Sequence, residues 1–457
     1  MAKLFGTDGV RGEAGRFPLD EATVRVIGRS LADILLEQRG SEPQIVTGRD
    51  TRESGSWLER ALAEGARERG AVVRSAGVIT TPGVAYLART LSADAGVVVS
   101  ASHNPFQDNG IKIFAPTGRK LDDTLERRIE ADIEREATGA EREAASSAAR
   151  AEKLDSHQSE ELRERYLSYL AEEAADGLSL DGLKLVLDCA NGAAFELAPA
   201  LFKRLGASVS VINASPDGRN INLNCGSQHM DGLRQKVTDE GAQLGVAYDG
   251  DADRALFVNA RGEVVDGDAV MWAMAQVMSG RGELKDGLVV ATVMSNIGLE
   301  IALRSKDLTL TRTDVGDKYV LEELLRSGAC LGGEQSGHII FPRQSLVGDG
   351  MMTTINLLRA MQESRLALHE LTRGFERYPQ VLVNVRVREK RPFEEVEQIR
   401  EVSREVEAQL GSRGRLLLRY SGTEALARVM IEGERQEEIE ALAARLAEAI
   451  RSELGAA

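Results

Sequence analysis

Two stretches place reactive side chains at short spacing. In Ser100-Ala-Ser-His-Asn-Pro105 a hydroxyl (Ser102) and an imidazole (His103) are neighbours, with the ammonium of Lys112 close behind. In Asp249-Gly-Asp-Ala-Asp-Arg254 three carboxylates alternate with residues of little or no side chain. On an extended backbone those carboxylates would project to one side. They would repel one another unless a cation sat among them. Hard oxygen ligands suit Mg²⁺ at about 2.1 Å, with positions left for water and a phosphate oxygen. An EF-hand is excluded, because Arg254 and Ala260 stand where that loop needs glycine and glutamate.

Two further loops bind rather than react. Glu334, Ser336 and His338 alternate along Gly332-Gly-Glu-Gln-Ser-Gly-His338, a spacing suited to the vicinal hydroxyls of a sugar. In Arg419-Tyr-Ser-Gly-Thr-Glu-Ala-Leu-Ala-Arg428 the backbone N–H groups of Ser421, Gly422 and Thr423, the two hydroxyls and Arg419 make a cradle for a phosphate dianion. Leu4 to Gly12 is dense in glycine around Asp8 and Arg11, and reads as an exposed, tightly turned loop able to approach a ligand. Each loop alone also reads as a polar turn, rich in Ser and Asn for structural reasons. Together a nucleophile, a cation site, a hydroxyl reader and a phosphate clamp specify phosphoryl transfer on a phosphosugar. A phosphorylated Ser102 would carry about −2, so with three aspartates the site would hold about −5, which one Mg²⁺ offsets only in part. Lys112 and Arg254 then have an electrostatic reason to be there. Phosphoryl transfer is mostly positioning and charge stabilisation, so this set suffices.

The elements that must position these loops alternate. Ala95-Gly-Val-Val-Val99 is a β-branched run that reads as a buried strand, which puts Ser102 on a loop at its carboxyl end, where α/β folds keep their chemistry. Helices at 24–35 and 56–69 and strands at 45–46 and 72–73 precede it. A second strand at 183–187 enters Asp188-Cys-Ala-Asn-Gly192, and 213–230 is a long polar loop of the kind kept for binding. A strand at 244–248 ends in the Asp249 motif. A third unit with strands at 288–292 and 308–311 leads to the Glu334 loop. A strand followed by a polar functional loop thus occurs near 100, 249 and 334, a weak repetition because residue identity is not repeated. After a hinge near Phe375 to Pro379, alternation at period two in Val381 to Val387 opens a small α+β domain. The expected fold is α/β: three similar mixed-sheet domains and a smaller C-terminal α+β domain around a central cleft. The expected limits are 1–155, 156–254, 255–372 and 376–457, with about 121 to 160, poorest in large apolar residues from Ala137 to Ala151, as a solvated helix or connector.

Bulk properties exclude several classes. The 457 residues exceed one ordinary core, and 42% apolar content is ample for folding. A net charge of −15 argues against a nucleic-acid or anionic-membrane partner. Cys189, Cys225 and Cys330 are scattered, without zinc spacing or a disulfide framework. No secretory signal region is evident, and no apolar run approaches about 18 residues, so the chain reads as a soluble cytoplasmic protein.

The motifs at 100–105, 249–254, 333–338 and 419–424 together resemble those of the α-phosphohexomutase superfamily. Phe5 to Gly12, Asp188 to Ala194 and Asn224 to Ser227 resemble the bacterial phosphoglucosamine mutases within it. The resemblance covers nearly the whole chain. It implies four domains around a cleft, one Mg²⁺ per chain, and interconversion of glucosamine 6-phosphate and glucosamine 1-phosphate for amino-sugar nucleotide and cell-wall precursor synthesis. It makes Ser102 the phosphoserine, whose phosphate joins Asp249, Asp251 and Asp253 as a metal ligand. Glu334 and Ser336 would read sugar hydroxyls, and Arg419, Ser421, Gly422, Thr423 and Arg428 would hold the non-reacting phosphate. Lys112, His103 and His338 are candidates for acid/base work, and Arg11 and Arg254 for charge stabilisation. Glucosamine 1,6-bisphosphate would serve as primer and intermediate; self-association as a homodimer is left open. Two positions depart from the family pattern: Ala425 stands where proline often follows the glutamate, and Asp314 where a basic residue often precedes Val-Gly-Asp. Three other readings remain: a phosphoglucomutase or phosphomannomutase with the same chemistry, an aspartate-nucleophile phosphatase suggested by the apolar strand before Asp249-Gly-Asp251, and a noncatalytic sugar-phosphate sensor.

Overall fold

Ala95–Val99 forms a strand buried along its whole length, as its β-branched run requires. It lies in a six-stranded sheet, parallel to Gln44–Arg49, which is in turn parallel to Val72–Val78. On its other side the sheet turns antiparallel, through Asp108–Phe114, Gly9–Glu13 and Phe5–Gly6. A second sheet repeats this plan. Ser208–Ile212, Lys184–Asp188 and Leu244–Tyr248 are parallel, and Ala255–Asn259 and Val264–Val265 follow antiparallel. In both sheets the reactive loop leaves the last parallel strand and enters its antiparallel neighbour. Gly332–Gly333 and Ile339–Ile340 form another antiparallel pair, joined by the Glu334 turn. The repetition faint in the sequence is therefore a repetition of topology, carried by patterning rather than by identical residues.

The computed structural model describes residues 3–6, 8–138, 154, 157–421 and 424–456. They form two compact units, Met1–Val290 with Thr313–Thr372, and Ala291–Arg312 with Arg373–Ala457. The second unit contains an antiparallel sheet in the order Gln380–Arg386, Leu426–Glu432, Arg415–Tyr420. Val385, Val429, Ile431, Leu442, Leu446 and Ile450 fill the core between this sheet and the helices Glu397–Leu410 and Gln436–Leu454. Among the described residues, no helix is long and apolar enough to cross a membrane.

Three local expectations change. Asp108–Phe114, given no element from the sequence, is a strand; every residue from Asn109 onward is buried, Lys112 included, although Ile111-Lys112-Ile113 alternates as a half-exposed strand would. Gly9–Glu13 is likewise a strand in a short hairpin, with Gly9 at φ 82°, where a side chain would strike the Ile111 carbonyl. Within the expected connector, helix Asp123–Thr138 is not wholly solvated, since Ile129 and Ile133 enter the first core; residues 139–153 lie outside the described residues.

Candidate active site

Ser102 sits at φ 52°, a left-handed conformation that costs a non-glycine residue energy and persists only where its surroundings over-determine it. Its N–H donates to Ser100 Oγ at 2.9 Å, and Ser100 Oγ donates to Asp50 Oδ2 at 2.7 Å. Asp50 is paired with Arg52 at 2.9 Å, and both are buried. The Arg52 guanidinium spreads over the loop and donates to the carbonyls of Ser102 (2.9 Å), Asn104 (2.8 Å), Asp108 (3.0 Å) and Pro105. So held, the Ser102 hydroxyl donates to Asp249 Oδ2 at 2.5 Å and lies 3.2 Å from His103 Nδ1. Burial, with Arg254 and Arg11 close by, pulls the His103 pKa down to about 4.

The three aspartates converge, though not by strand alternation. Leu244–Tyr248 ends at Asp249, the Ala252 N–H closes a turn on the Asp249 carbonyl at 3.1 Å, and Ala252 takes φ 55°. One carboxylate oxygen from each of Asp249, Asp251 and Asp253 lies within 4.8 Å of the others, and all three residues are buried. Burial and the neighbouring Asp253 and Asp251 carboxylates raise the Asp249 pKa well above its usual range. Asp253 is lowered: burial opposes its ionisation, but Lys112, His338 and Arg254 outweigh it. Lys112 Nζ, 1% exposed, lies 2.8 Å from Asp251, 3.4 Å from Asp253 and 3.0 Å from Asp8. Burial alone would lower its pKa, yet these carboxylates hold it well above the ordinary value. Asp251 Oδ1 and Asp253 Oδ1 remain buried without a hydrogen-bond partner. Two orphaned carboxylate oxygens beside a third carboxylate fit a hard divalent cation.

A cleft of about 360 Å³ opens beside this cluster, walled by Asp8, Arg11, Asp253, Arg254, Glu334 and His338 among others. Ser102, Lys112 and Ser336 are not on its wall. Glu334 to Gly337 is a tight turn, closed by the Gly337 N–H on the Glu334 carbonyl at 3.0 Å, so Glu334 and His338 reach the cleft while Ser336 does not. Gly348 donates to His338 Nε2 at 3.0 Å, and Nδ1 faces Asp253 Oδ2 at 3.6 Å. Burial disfavours charging that ring, but Asp253, Asp317 and Glu334 push its pKa up to about 9. The Gly348 bond therefore belongs to the neutral ring, and the charged ring present below that pH carries a proton on Nε2 as well. Val315 to Asp317 line the cleft, and Asp314 does not. The turn docks where Gly267 donates to the Gln335 carbonyl at 3.0 Å, and a Cβ on Gly267 would stand 2.1 Å from the Glu334 carbonyl. Gly267→Ala is therefore expected to cost about 1–3 kcal/mol in urea denaturation and to raise KM for the phosphosugar, because backbone must shift. Unchanged values for both would show that the turn is not held there.

The phosphate-cradle residues lie in the second unit. Arg419 and Arg428 are cross-strand partners on Arg415–Tyr420 and Leu426–Glu432. Arg428 Nη2 reaches Ser421 Oγ at 3.4 Å, and Lys390 Nζ donates to the Ser421 carbonyl at 2.6 Å. Gly422 and Thr423 lie outside the described residues. Lys390 carried no sequence signal for this role, being far from the motif in the chain. Asp50, Arg52, Lys120 and Asp317 were missed for the same reason. Lys120 bridges Asp8 at 2.7 Å and Asp317 at 2.6 Å, a contact among three separate stretches. All three cysteines are buried, and burial pushes the Cys225 thiol up to about 12 and Cys189 higher still, which makes both inert.

Residues 2–140, 164–262, 266–378 and 382–449 match, in that order, domains I, II, III and the C-terminal domain described as phosphoglucomutase/phosphomannomutase. A phosphoglucosamine mutase from Solibacter usitatus is 50% identical over 457 residues, covering 100% of both chains. Among solved structures, a phosphoglucomutase/phosphomannomutase family protein from Burkholderia thailandensis superposes with a TM-score of 0.77 at 24% identity, over 98% of this chain and 97% of its own. An N-acetylphosphoglucosamine mutase from Aspergillus fumigatus, in complex with GlcNAc-6P and magnesium, gives 0.59 at 18% identity, over 98% and 95%. These two show the fold.

Proposed function

The chain belongs to the phosphoglucosamine mutase family, within the phosphoglucomutases/phosphomannomutases, and from that premise we infer that it is an isomerase interconverting glucosamine 6-phosphate and glucosamine 1-phosphate in the cytoplasm. The observation that carries this reading is the Ser102 hydroxyl, 2.5 Å from Asp249 within a cluster of three buried carboxylates. Phosphorylated Ser102 gives its phosphoryl group to the free sugar hydroxyl: the Oγ–P bond breaks, a P–O bond to the sugar forms, the sugar hydroxyl proton passes to a base, and a proton is returned to the leaving Ser102 Oγ. The resulting glucosamine 1,6-bisphosphate turns end for end. Its other phosphoryl group then returns to Ser102, so the protein ends as it began. Asp249, Asp251, Asp253 and a phosphoserine oxygen would hold Mg²⁺, whose charge stabilises the transferring phosphoryl group. Arg254 and Arg11, on the cleft wall, supply further positive charge, as donors aimed where charge develops. His103, beside Ser102 Oγ, with Lys112 and His338 around Asp253, are the groups for proton transfer. Glu334, on the cleft wall, is the residue that would read the sugar, since Ser336 does not reach the cleft, and Arg419, Ser421, Gly422, Thr423 and Arg428 would hold the non-reacting phosphate.

Substrate choice rests on the full-length relative at 50% identity. With Mg²⁺ and a bisphosphate primer supplied, kcat/KM for glucosamine 6-phosphate is expected to exceed that for glucose and mannose phosphates about tenfold or more, the scale of one net hydrogen bond. A tenfold preference for glucose 1-phosphate would overturn that choice, and tight binding without isomerisation would make the protein a sensor.

A further inference from the structure

We propose that Asn222 is a positioning residue for phosphoryl transfer, its side-chain amide setting the direction of the Ser102 hydroxyl through the Ser102 carbonyl. The proposal rests on Ser102 being the phosphoryl carrier. Asn222 Nδ2 donates to the carbonyls of Ser102 at 2.9 Å and Asn104 at 3.1 Å. Arg52 Nη2 grips the same two carbonyls, so each is held by two donors from separate elements. The acidic loop closes against this clamp. A Cβ on Gly250 would stand 2.5 Å from the Ser102 carbonyl and 3.0 Å from Asn222 Nδ2, so nothing larger than glycine fits between Asp249 and Asp251.

Two features make the clamp more than packing. Ser102 occupies a backbone region that side chains disfavour, and the peptide it holds there aims Oγ at Asp249. Asn222 is itself at φ 58°, which asparagine tolerates well, and its N–H is fixed by the Ala190 carbonyl at 2.9 Å. The polar loop from Asn213 to Met230, whose composition suggested ligand binding, thus uses this asparagine inside the protein. The side chain of its neighbour Asn220 serves its own loop, accepting from the Asp217 N–H and donating to the Ser215 carbonyl, while the Asn220 carbonyl, which Asn220→Ala keeps, accepts from Asn191 Nδ2 at 3.3 Å. Asn222 is neutral, so it can be changed without stranding a buried charge, as removal of Arg52 would.

The test compares Asn222→Gly, which keeps the positive φ and deletes the amide, and Asn222→Asp, which keeps the shape and turns an acceptor toward two carbonyls, with Asn220→Ala as control. Each is assayed on glucosamine 6-phosphate with Mg²⁺ and bisphosphate primer, beside its melting temperature and the Ser102 phosphate read by intact mass. The expected result is a kcat about a hundredfold lower in Asn222→Gly, and lower still in Asn222→Asp, with KM nearly unchanged, because the reacting atom is displaced and not the sugar. Asn220→Ala should stay within about twofold of wild type, as a surface change does. The proposal is overturned if Asn222→Gly keeps the wild-type kcat, if its loss appears in KM or only in proportion to unfolded protein, or if Asn220→Ala loses as much. Active wild-type protein without phosphate on Ser102 would overturn the premise instead.

Discussion

Ser102→Ala is expected to lower mutase turnover about 10⁴- to 10⁶-fold, the scale seen when a nucleophile that acts as one unit with its partners is removed. The Thr81 hydroxyl, also in the cluster, donates to Asp251 and not to Asp249, so it does not take the place of Ser102. The adjacent hydroxyl, Ser100 Oγ, is committed to Asp50 and to the Ser102 N–H, and among the described residues no other serine or threonine hydroxyl is bonded to Asp249. The fold should survive. Alanine at φ 52° is about as strained as serine, and what is lost is one hydrogen bond to a buried carboxylate, about 1–3 kcal/mol. A coupled assay on glucosamine 6-phosphate, with intact mass to count phosphoryl groups, checks both parts. Turnover within tenfold of wild type would remove Ser102 from the chemistry.

Lys112→Met is expected to destabilise the protein by about 3–5 kcal/mol in urea denaturation with EDTA present, the cost of removing one partner from a buried ion pair. Lys112 lies within 3.4 Å of Asp251, Asp253 and Asp8, and methionine would fill much of its volume without its charge. The sign of a metal effect follows. Mg²⁺ should restore part of the loss, because a cation bound to folded protein only stabilises by mass action and here also replaces missing positive charge. Equal stability of wild type and variant in EDTA would mean that Lys112 does not neutralise the cluster.

The sequence showed most clearly what is local. Ser102 and His103 are adjacent, the three aspartates fall within five positions, and the buried strands before them are short runs without charged residues. A one-dimensional pattern captures such features because their physics is short-ranged. The aspartates converge through a turn at Ala252 and not along an extended strand, yet the residue types were sufficient to mark the site. What escaped is whatever depends on distant stretches meeting. Arg52 lies 50 positions from the Ser102 carbonyl it holds, Asn222 lies 120 positions away, and the Lys120 bridge to Asp8 and Asp317 draws on three stretches. Asp108–Phe114 was missed because its opening Asp-Asn-Gly reads as a turn, leaving only Ile111 to Phe114 as a strand signal, and the burial of Asn109 and Lys112 is visible only in the fold. In each case a polar group is buried because a partner elsewhere satisfies it, and nothing local announces the partner.

The most direct test of the account is a single turnover. Protein carrying labelled phosphate on Ser102 is mixed with glucosamine 1-phosphate and Mg²⁺, and the label is followed. The account predicts that an acid-stable label leaves Ser102 and appears in glucosamine 1,6-bisphosphate at least as fast as kcat. A label that is released by hydroxylamine, or that leaves Ser102 only as inorganic phosphate, would contradict it.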